Sequence, residues 1–307
     1  MHNRILDLSE EPAHLCVRHA NLILKRPDRP EVSMPLSDVA VLVASHPQIT
    51  CTLAVLSGLA AAGAAFVTCD AARLPVGMML PLQRHFVQTE RIARQIGVKR
   101  PLCKRLWQQV VRAKIHAQAT ALQIETGTDG GLTALARQVR SGDPANVEAR
   151  AARCYWLLLF GEDSFRRDRH APDVNRILNY GYAVLRAMTG RAVCASGLHP
   201  SIGIHHHNRY SQFTLADDLM EPFRVVVDRA AVSIAKTWGF DAPLDKNTKA
   251  ELIAAVTGRY RLDGEERALF DILARLSSSL VQVLGGERRE LALPRFETFF
   301  PDSAGAA

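Results

Sequence analysis

The segment Gly203–Arg224 reads GIHHHNRYSQFTLADDLMEPFR, three consecutive histidines followed by two aspartates and a glutamate. Neutral imidazole is a common ligand of divalent transition metals, and carboxylate oxygens suit magnesium and manganese. On a helix, residues three or four apart share a face, so Glu221 can project with Asp218 or with Asp217. Carboxylates on one face repel by about a few tenths of a kcal/mol per pair when exposed, and by more when buried. A bound cation removes that cost. The plainer reading of the acids is a solvated first turn favoured by the helix dipole. A third ligand candidate stands in GDPANVEARAARCYWLLLFG, where Glu148 precedes an apolar run. Its ordinary role is a surface glutamate. The favoured ion-pair spacings from Glu148 hold Ala151 and Ala152, while Arg150 and Arg153 fall beside them. The chain has no H-E-x-x-H motif and no closely spaced thiol pair, which argues against a zinc hydrolase.

These residues need elements to position them. Pattern predicts an α+β chain, with a small β-rich N-terminal domain over residues 1–76, a hinge over 77–84, a larger all-α domain over 85–292 and a partly disordered tail over 293–307. The early runs RILDL, HLCVRH, NLILKR, VAVLVAS and AFVTCD are short and β-rich. HLCVRHANLILKR predicts a hairpin turning near Ala20-Asn21, with Leu15, Val17, Leu22 and Leu24 on alternating positions. Thr52–Ala65 predicts one helix, and ARLPVGMMLP the hinge. Beyond residue 84 the apolar spacing becomes three and four. The stretches expected to be helical include LWQQVVRAKIHAQATALQI, NVEARAARCYWLLLF, DVNRILNYGYAVLRAM and ERALFDILARLSSSLVQVL. Pro144 is placed in the first turn of the helix bearing Glu148. Thr214 is expected to cap a helix running through LADDLMEPFRVVVDRAAVSIAK, buried along Leu215, Leu219, Phe223, Val226, Val227 and Ala230 and kinked by Pro222. Thr248 with Glu251 suggests a capping box, and Gly285-Gly286 a helix stop.

The chain has 307 residues, 48% of them hydrophobic and 22% charged, which is ordinary for a globular protein with a real core. Its net charge of +7 points toward polyanionic partners. The densest basic run is RIARQIGVKRPLCKR, with Arg91, Arg94, Lys99, Arg100, Lys104 and Arg105. Six scattered cysteines read as free thiols in a reducing compartment. MHNRILDLSEEP lacks the apolar core of a signal peptide, and Thr52–Val67 is too short for a typical membrane span. The expected location is the cytoplasm.

Three blocks, NVEARAARCYW at Asn146–Trp156, NRILNYGYAVL at Asn175–Leu185 and GLHPSIGIHHHNRYSQFTLADDLMEPFR at Gly197–Arg224, resemble the CRISPR-associated endonuclease family that integrates new spacers, the Cas-one integrases. The likeness is to the form found beside single-protein effectors. LPVGMMLPL at Leu74–Leu82 is a weaker fourth block. The departures are a run of three histidines and Val225, where many relatives carry proline.

The resemblance implies an N-terminal β-sandwich-like domain, a helical catalytic domain and a homodimer. Two such dimers would clamp a dimer of the small companion protein, Cas-two, in a heterohexameric integration complex. It further implies Mg²⁺ or Mn²⁺ held by Glu148, His206 and Glu221, with Asp218 an additional member of the catalytic set. The activity implied is insertion of double-stranded prespacer DNA into a CRISPR repeat, by attack of a 3′-hydroxyl on a repeat phosphodiester. The alternatives are a structure-selective DNA nuclease acting in repair and a non-catalytic DNA-binding scaffold. His205 and His207 are spare donors for DNA or solvent. Within the second block, Leu178, Tyr182 and Leu185 are read as core. Asn175 and Asn179 share a face from which they can buttress the metal site or meet a phosphate.

Overall fold

A computed structural model describes residues 3–71, 73–82, 85–161, 165–168, 170–206, 211–262 and 264–298. The N-terminal part contains strands β1 (Arg4–Leu8), β2 (Ala13–Arg18), β3 (Asn21–Lys25), β4 (Val32–Pro35), β5 (Val39–Ala44), β6 (Ile49–Cys51), β7 (Ala65–Cys69) and β8 (Pro75–Met79), with helix α1 (Leu53–Ala62) between β6 and β7. They form two four-stranded sheets, ordered β1-β5-β7-β8 and β4-β3-β2-β6. β1, β5 and β7 run parallel, and β8 closes the edge antiparallel to β7. The β2–β3 hairpin pairs Leu15 with Leu24 and Val17 with Leu22, the alternation read from the sequence. Its turn is His19-Ala20, both at positive φ, one residue before the expected place.

Leu15, Leu22, Leu42, Val55 and Leu59 from the two sheets and α1 meet in one apolar layer. Val41, Val43, Ala65 and Val67 instead join the core of the helices. β5 is therefore apolar at every position because both its faces are covered, as parallel strands require. The expected hinge is corrected at its start: Gly77–Met79 belong to strand β8, hydrogen-bonded to β7.

The remaining chain is mostly helical: α2 (Gln88–Ile96), α3 (Arg100–Thr126), α4 (Leu132–Gln138), α5 (Val147–Phe160), α6 (Val174–Ala195), α7 (Thr214–Met220), α8 (Arg224–Trp238), α9 (Lys246–Thr257) and α10 (Leu269–Leu284). It is not all-α. β9 (Arg259–Leu262), β10 (Glu265–Ala268) and β11 (Phe296–Thr298) form a three-stranded antiparallel sheet. Glu266–Ala268, expected at the start of a helix, are strand, and α10 begins at Leu269. β11 draws part of the expected tail into the fold, while PDSAGAA lies outside the described residues. Among the described residues no helix is long and apolar enough to cross a membrane.

Local capping explains three further shifts. α9 starts at Lys246 because Asp245 accepts from the amides of Asn247 and Thr248, and Thr248 Oγ1 accepts from the Asp245 amide; Thr248 is thus the partner in the box, not its cap. Thr214 is the first residue of α7 rather than its cap, and its hydroxyl donates to the Ser201 carbonyl at 2.7 Å. α5 starts at Val147, after Pro144, since Asp143 accepts from the amides of Val147 and Glu148 at 2.9 Å each.

α6 lies at the centre, buried along most of its length and packed against α7, α8, α9 and α10. Leu178, Tyr182 and Leu185 are all core, as expected. Where α6 crosses α8 it presents Gly181, and a Cβ there would collide with Val227 Cγ1. Gly181→Ala is expected to destabilise the protein by about 1–3 kcal/mol through overpacking, measured by equilibrium unfolding in denaturant. An unchanged midpoint would show that α6 and α8 can separate freely.

Candidate metal and phosphate site

Pro222 does interrupt the helix. The chain passes from α7 through a 3-10 turn at Glu221–Phe223 into α8, and Glu221 sits in that turn with 6% exposure. Residues from three elements converge on it. Lys114 Nζ of α3 lies 2.6 Å from Glu148 Oε1 and 2.7 Å from Glu221 Oε2, and Arg224 reaches Glu221 Oε1 at 3.0 Å. Glu148 stands in the first turn of α5, where the helix dipole favours its charge. Burial opposes ionisation of Glu221, but Arg224 and Lys114 outweigh it and hold the carboxyl down at about 2. Lys114 is raised: burial works against its charge, and Glu221 and Glu148 more than offset it.

Asp218 is fully buried beneath the histidine loop. Its Oδ2 accepts from the amides of Ile204 and His205 at 2.6 and 2.8 Å, and its Oδ1 from the His206 amide at 3.3 Å. Oδ1 also lies 2.5 Å from His206 Nδ1. A Cβ on Gly203 would stand 2.5 Å from the His206 carbonyl oxygen and 3.0 Å from Asp218 Oδ2, so the loop can wrap this carboxylate only with glycine there. Asp218, expected in the catalytic set, spends both its oxygens on this loop. It fixes the loop and engages one imidazole nitrogen, which leaves Nε2 free of that contact. The Asp218 bond raises the His206 pKa first; burial opposes it, and the charges of Asp218, Glu221 and Glu148 add to the rise. His205 instead stacks on Trp107, with ring centroids 4.2 Å apart. Asp217 leaves the helix in another direction and meets Arg186 Nε at 2.6 Å. His207 lies outside the described residues.

Two features fit a divalent cation. Glu148 and Glu221 converge closely enough to share one cation, the Lys114 ammonium. Glu221 Oε2 is also buried without a hydrogen bond of good geometry, its close contact being the Lys114 ammonium at 2.7 Å. The donor set of two carboxylates and an imidazole suits manganese, and magnesium through the glutamates. The third ligand is not drawn in. Among the described residues no three His, Cys, Asp or Glu side chains are grouped closely enough to hold a metal as they stand.

Beside Glu221 is a cavity of about 250 Å³ lined by Lys114, Arg167, Tyr182, Arg224 and Asp228. Arg167 donates to Asn175 Oδ1 at 2.8 Å and Asn179 Oδ1 at 2.6 Å, so the two asparagines reach the site by holding an arginine. Arg224 and Arg167 both lie over the Tyr182 ring. Tyr155 and Tyr182 donate to Asp228, whose carboxyl burial pushes up to about 6 despite those bonds. Of the basic run, Arg91 donates to the Ser196 carbonyl and Arg94 pairs with Glu90, whereas Lys99, Arg100, Lys104 and Arg105 are exposed.

Sequence reasoning missed Lys114 and Arg167. Lys114 left a sign: it falls on the buried stripe of α3 among Val110, Val111, Ile115 and Gln118. Arg167 left none, because its segment has no periodicity.

The family described as CRISPR associated protein Cas1 matches residues 6–241. A CRISPR-associated endonuclease Cas1 of Neisseria meningitidis serogroup C (strain 8013) is 37% identical over 269 residues, covering 85% of this chain and 86% of that protein. Among solved structures, a casposase bound to integration product superposes with a TM-score of 0.80 at 18% identity, over 99% of this chain and 96% of the other. A chain of a Cas6-RT-Cas1–Cas2 complex gives a TM-score of 0.75 at 18% identity, over 96% of this chain and 36% of that one. The chain belongs to the CRISPR-associated Cas1 family.

Proposed function

We propose that this protein is a metal-dependent DNA endonuclease and integrase that inserts prespacer DNA into a CRISPR array. The observation that carries the reading is the convergence of Glu148 and Glu221, from two separate sequence blocks, on one buried cation. Glu148, Glu221 and His206 would hold Mn²⁺ or Mg²⁺, which when bound polarises the scissile phosphate and stabilises charge on the leaving oxygen. Asp218 keeps the His206 loop in place. Arg224 and Arg167, preset on Tyr182 and on the asparagine pair, supply positive charge for a phosphate without having to reorganise.

The reaction is a transesterification. The prespacer 3′-oxygen forms a bond to phosphorus as the repeat's own P–O3′ bond breaks, and its proton passes to the departing oxygen or to solvent. The exposed cations Lys99, Arg100, Lys104 and Arg105 supply phosphate contacts along the duplex. DNA and a Cas2 companion are the proposed partners, in line with the relatives whose names record an integration product and a Cas1–Cas2 complex. A homodimer within a heterohexamer is the assembly proposed.

Glu148→Ala, His206→Ala and Glu221→Ala are each expected to abolish Mn²⁺-dependent strand transfer while the circular dichroism spectrum stays that of the folded protein. Transfer by Glu148→Ala near the wild-type rate would remove the assignment. Hydrolysis of branched DNA without transfer would point to a repair nuclease, and DNA binding indifferent to all three changes to a scaffold.

Asp218→Asn is expected to weaken Mn²⁺ binding about 10–100-fold, as loss of a ligand's supporting bond does. Asp217→Asn, which loses the Arg186 ion pair and disturbs the Ser211 contact, is expected to leave it within a few-fold. Titration of Mn²⁺ by electron paramagnetic resonance separates them, and a larger effect at Asp217 overturns the positioning role.

Lys114→Met is expected to lower the melting temperature in EDTA, because it leaves two buried carboxylates without their shared counter-ion. Mn²⁺ should then raise that temperature more than it does in wild type. Equal rises in both proteins would show that Lys114 and the metal do not share a place.

A further inference from the structure

Away from the glutamates, a cavity of about 570 Å³ lies between the N-terminal strands and α9. Small-molecule sites commonly enclose about 300–1,000 Å³. The strand side brings Arg26 and Arg29 from the β3–β4 connection, and the helix side brings Lys246 and Lys249.

Lys249 is only 2% exposed, yet its ammonium has no hydrogen-bond partner. Asp7 Oδ1 lies 3.6 Å away, which balances the charge but is too long for a hydrogen bond. The other Asp7 oxygen accepts from Tyr180 Oη at 2.6 Å, and the Tyr180 ring faces the ammonium at 5.1 Å. An ammonium carries three donors, and leaving them buried and unmatched is costly. On the opposite wall Arg26 has the same deficit: Nη1 reaches Glu11 Oε1 at 3.2 Å, while Nε is buried without a partner. Glu11 is committed to Arg26 and to Arg29, each at 3.2 Å, and Glu10 accepts from Ser9. Four cations thus face three carboxylates, and the unmet hydrogen bonding on both walls belongs to cationic donors. What the cavity lacks is acceptor oxygen.

We propose that this cavity binds a small molecule bearing an oxyanion, either phosphate or carboxylate. Lys249 and Arg26 donate to its oxygens from opposite sides, and Lys246 at the exposed first turn of α9 adds charge at the rim. The volume exceeds what a bare anion fills, and Ala250, Ile253 and Ala254 offer an apolar floor for an organic body. A ligand there bridges β1 and α9, so it also ties the strands to the helices. This site is independent of the metal reading.

The test is calorimetric titration of the full chain in EDTA, with a nucleoside 5′-monophosphate, inorganic phosphate and acetate as probes. The monophosphate is expected to bind wild type and Glu148→Ala alike, and at least 10-fold more weakly to Lys249→Met and to Lys246→Ala. Lys246 is exposed, so its variant keeps the test valid if Lys249→Met does not fold. Equal binding of inorganic phosphate would identify the phosphate group alone as the ligand, and equal binding of acetate a carboxylate. No binding of any probe at millimolar concentration, or binding unchanged by both lysine substitutions, overturns the proposal and leaves a water-filled cleft.

Discussion

Two glutamates set close together, one buried and one half-buried, repel each other, and the helices around them are arranged to meet that repulsion. Glu148 and Glu221 tolerate burial because Lys114 stands between them and Arg224 flanks one of them. Each of the four comes from a fixed place: the middle of α3, the first turn of α5, the 3-10 turn and the start of α8. The break at Pro222 matters here because it sets Glu221 between two helices, with backbone geometry of its own. The arrangement is self-neutralising: each carboxylate has a cation beside it.

The histidine loop follows a different principle. One carboxylate, fully buried, collects three backbone amides and an imidazole. Asp218 therefore works like the core of a small folded unit, and Gly203 is needed because any side chain would occupy the space the loop must cross. Neighbouring Asp217, chemically identical, ties α7 to α6 through Arg186 and accepts from Ser211 Oγ. One residue of offset on a helix separates a tether to α6 from the carboxylate that holds the His206 loop.

Much of this was legible in the sequence where the signal is local. Strand alternation located the β2–β3 pairing, and the three- and four-residue spacing located the long helices. The run of His and acidic residues pointed to the loop and turn in which His206, Asp218 and Glu221 lie. Helix starts were misread at Thr214, Pro144 and Thr248, because a nearby Asp or a contact with a distant carbonyl decides the first turn, and a short motif does not reveal which of two candidates wins. Lys114 and Arg167 stayed hidden for a stronger reason. Their roles exist only through partners 34 residues away and on α6 respectively, and no local pattern encodes those meetings. The small sheet of β9, β10 and β11 was missed likewise, since its strands are short and its third member arrives from beyond α10.

Strand β5 sends successive side chains into two different cores, Leu42 toward the opposing sheet and Val41 and Val43 toward the helices. A strand used this way acts as a party wall. Neither room can be demolished alone, because opening one leaves half of the same strand wet. Large swings of the N-terminal sheets against the helices are therefore costly, since they would expose one face of β5 to water.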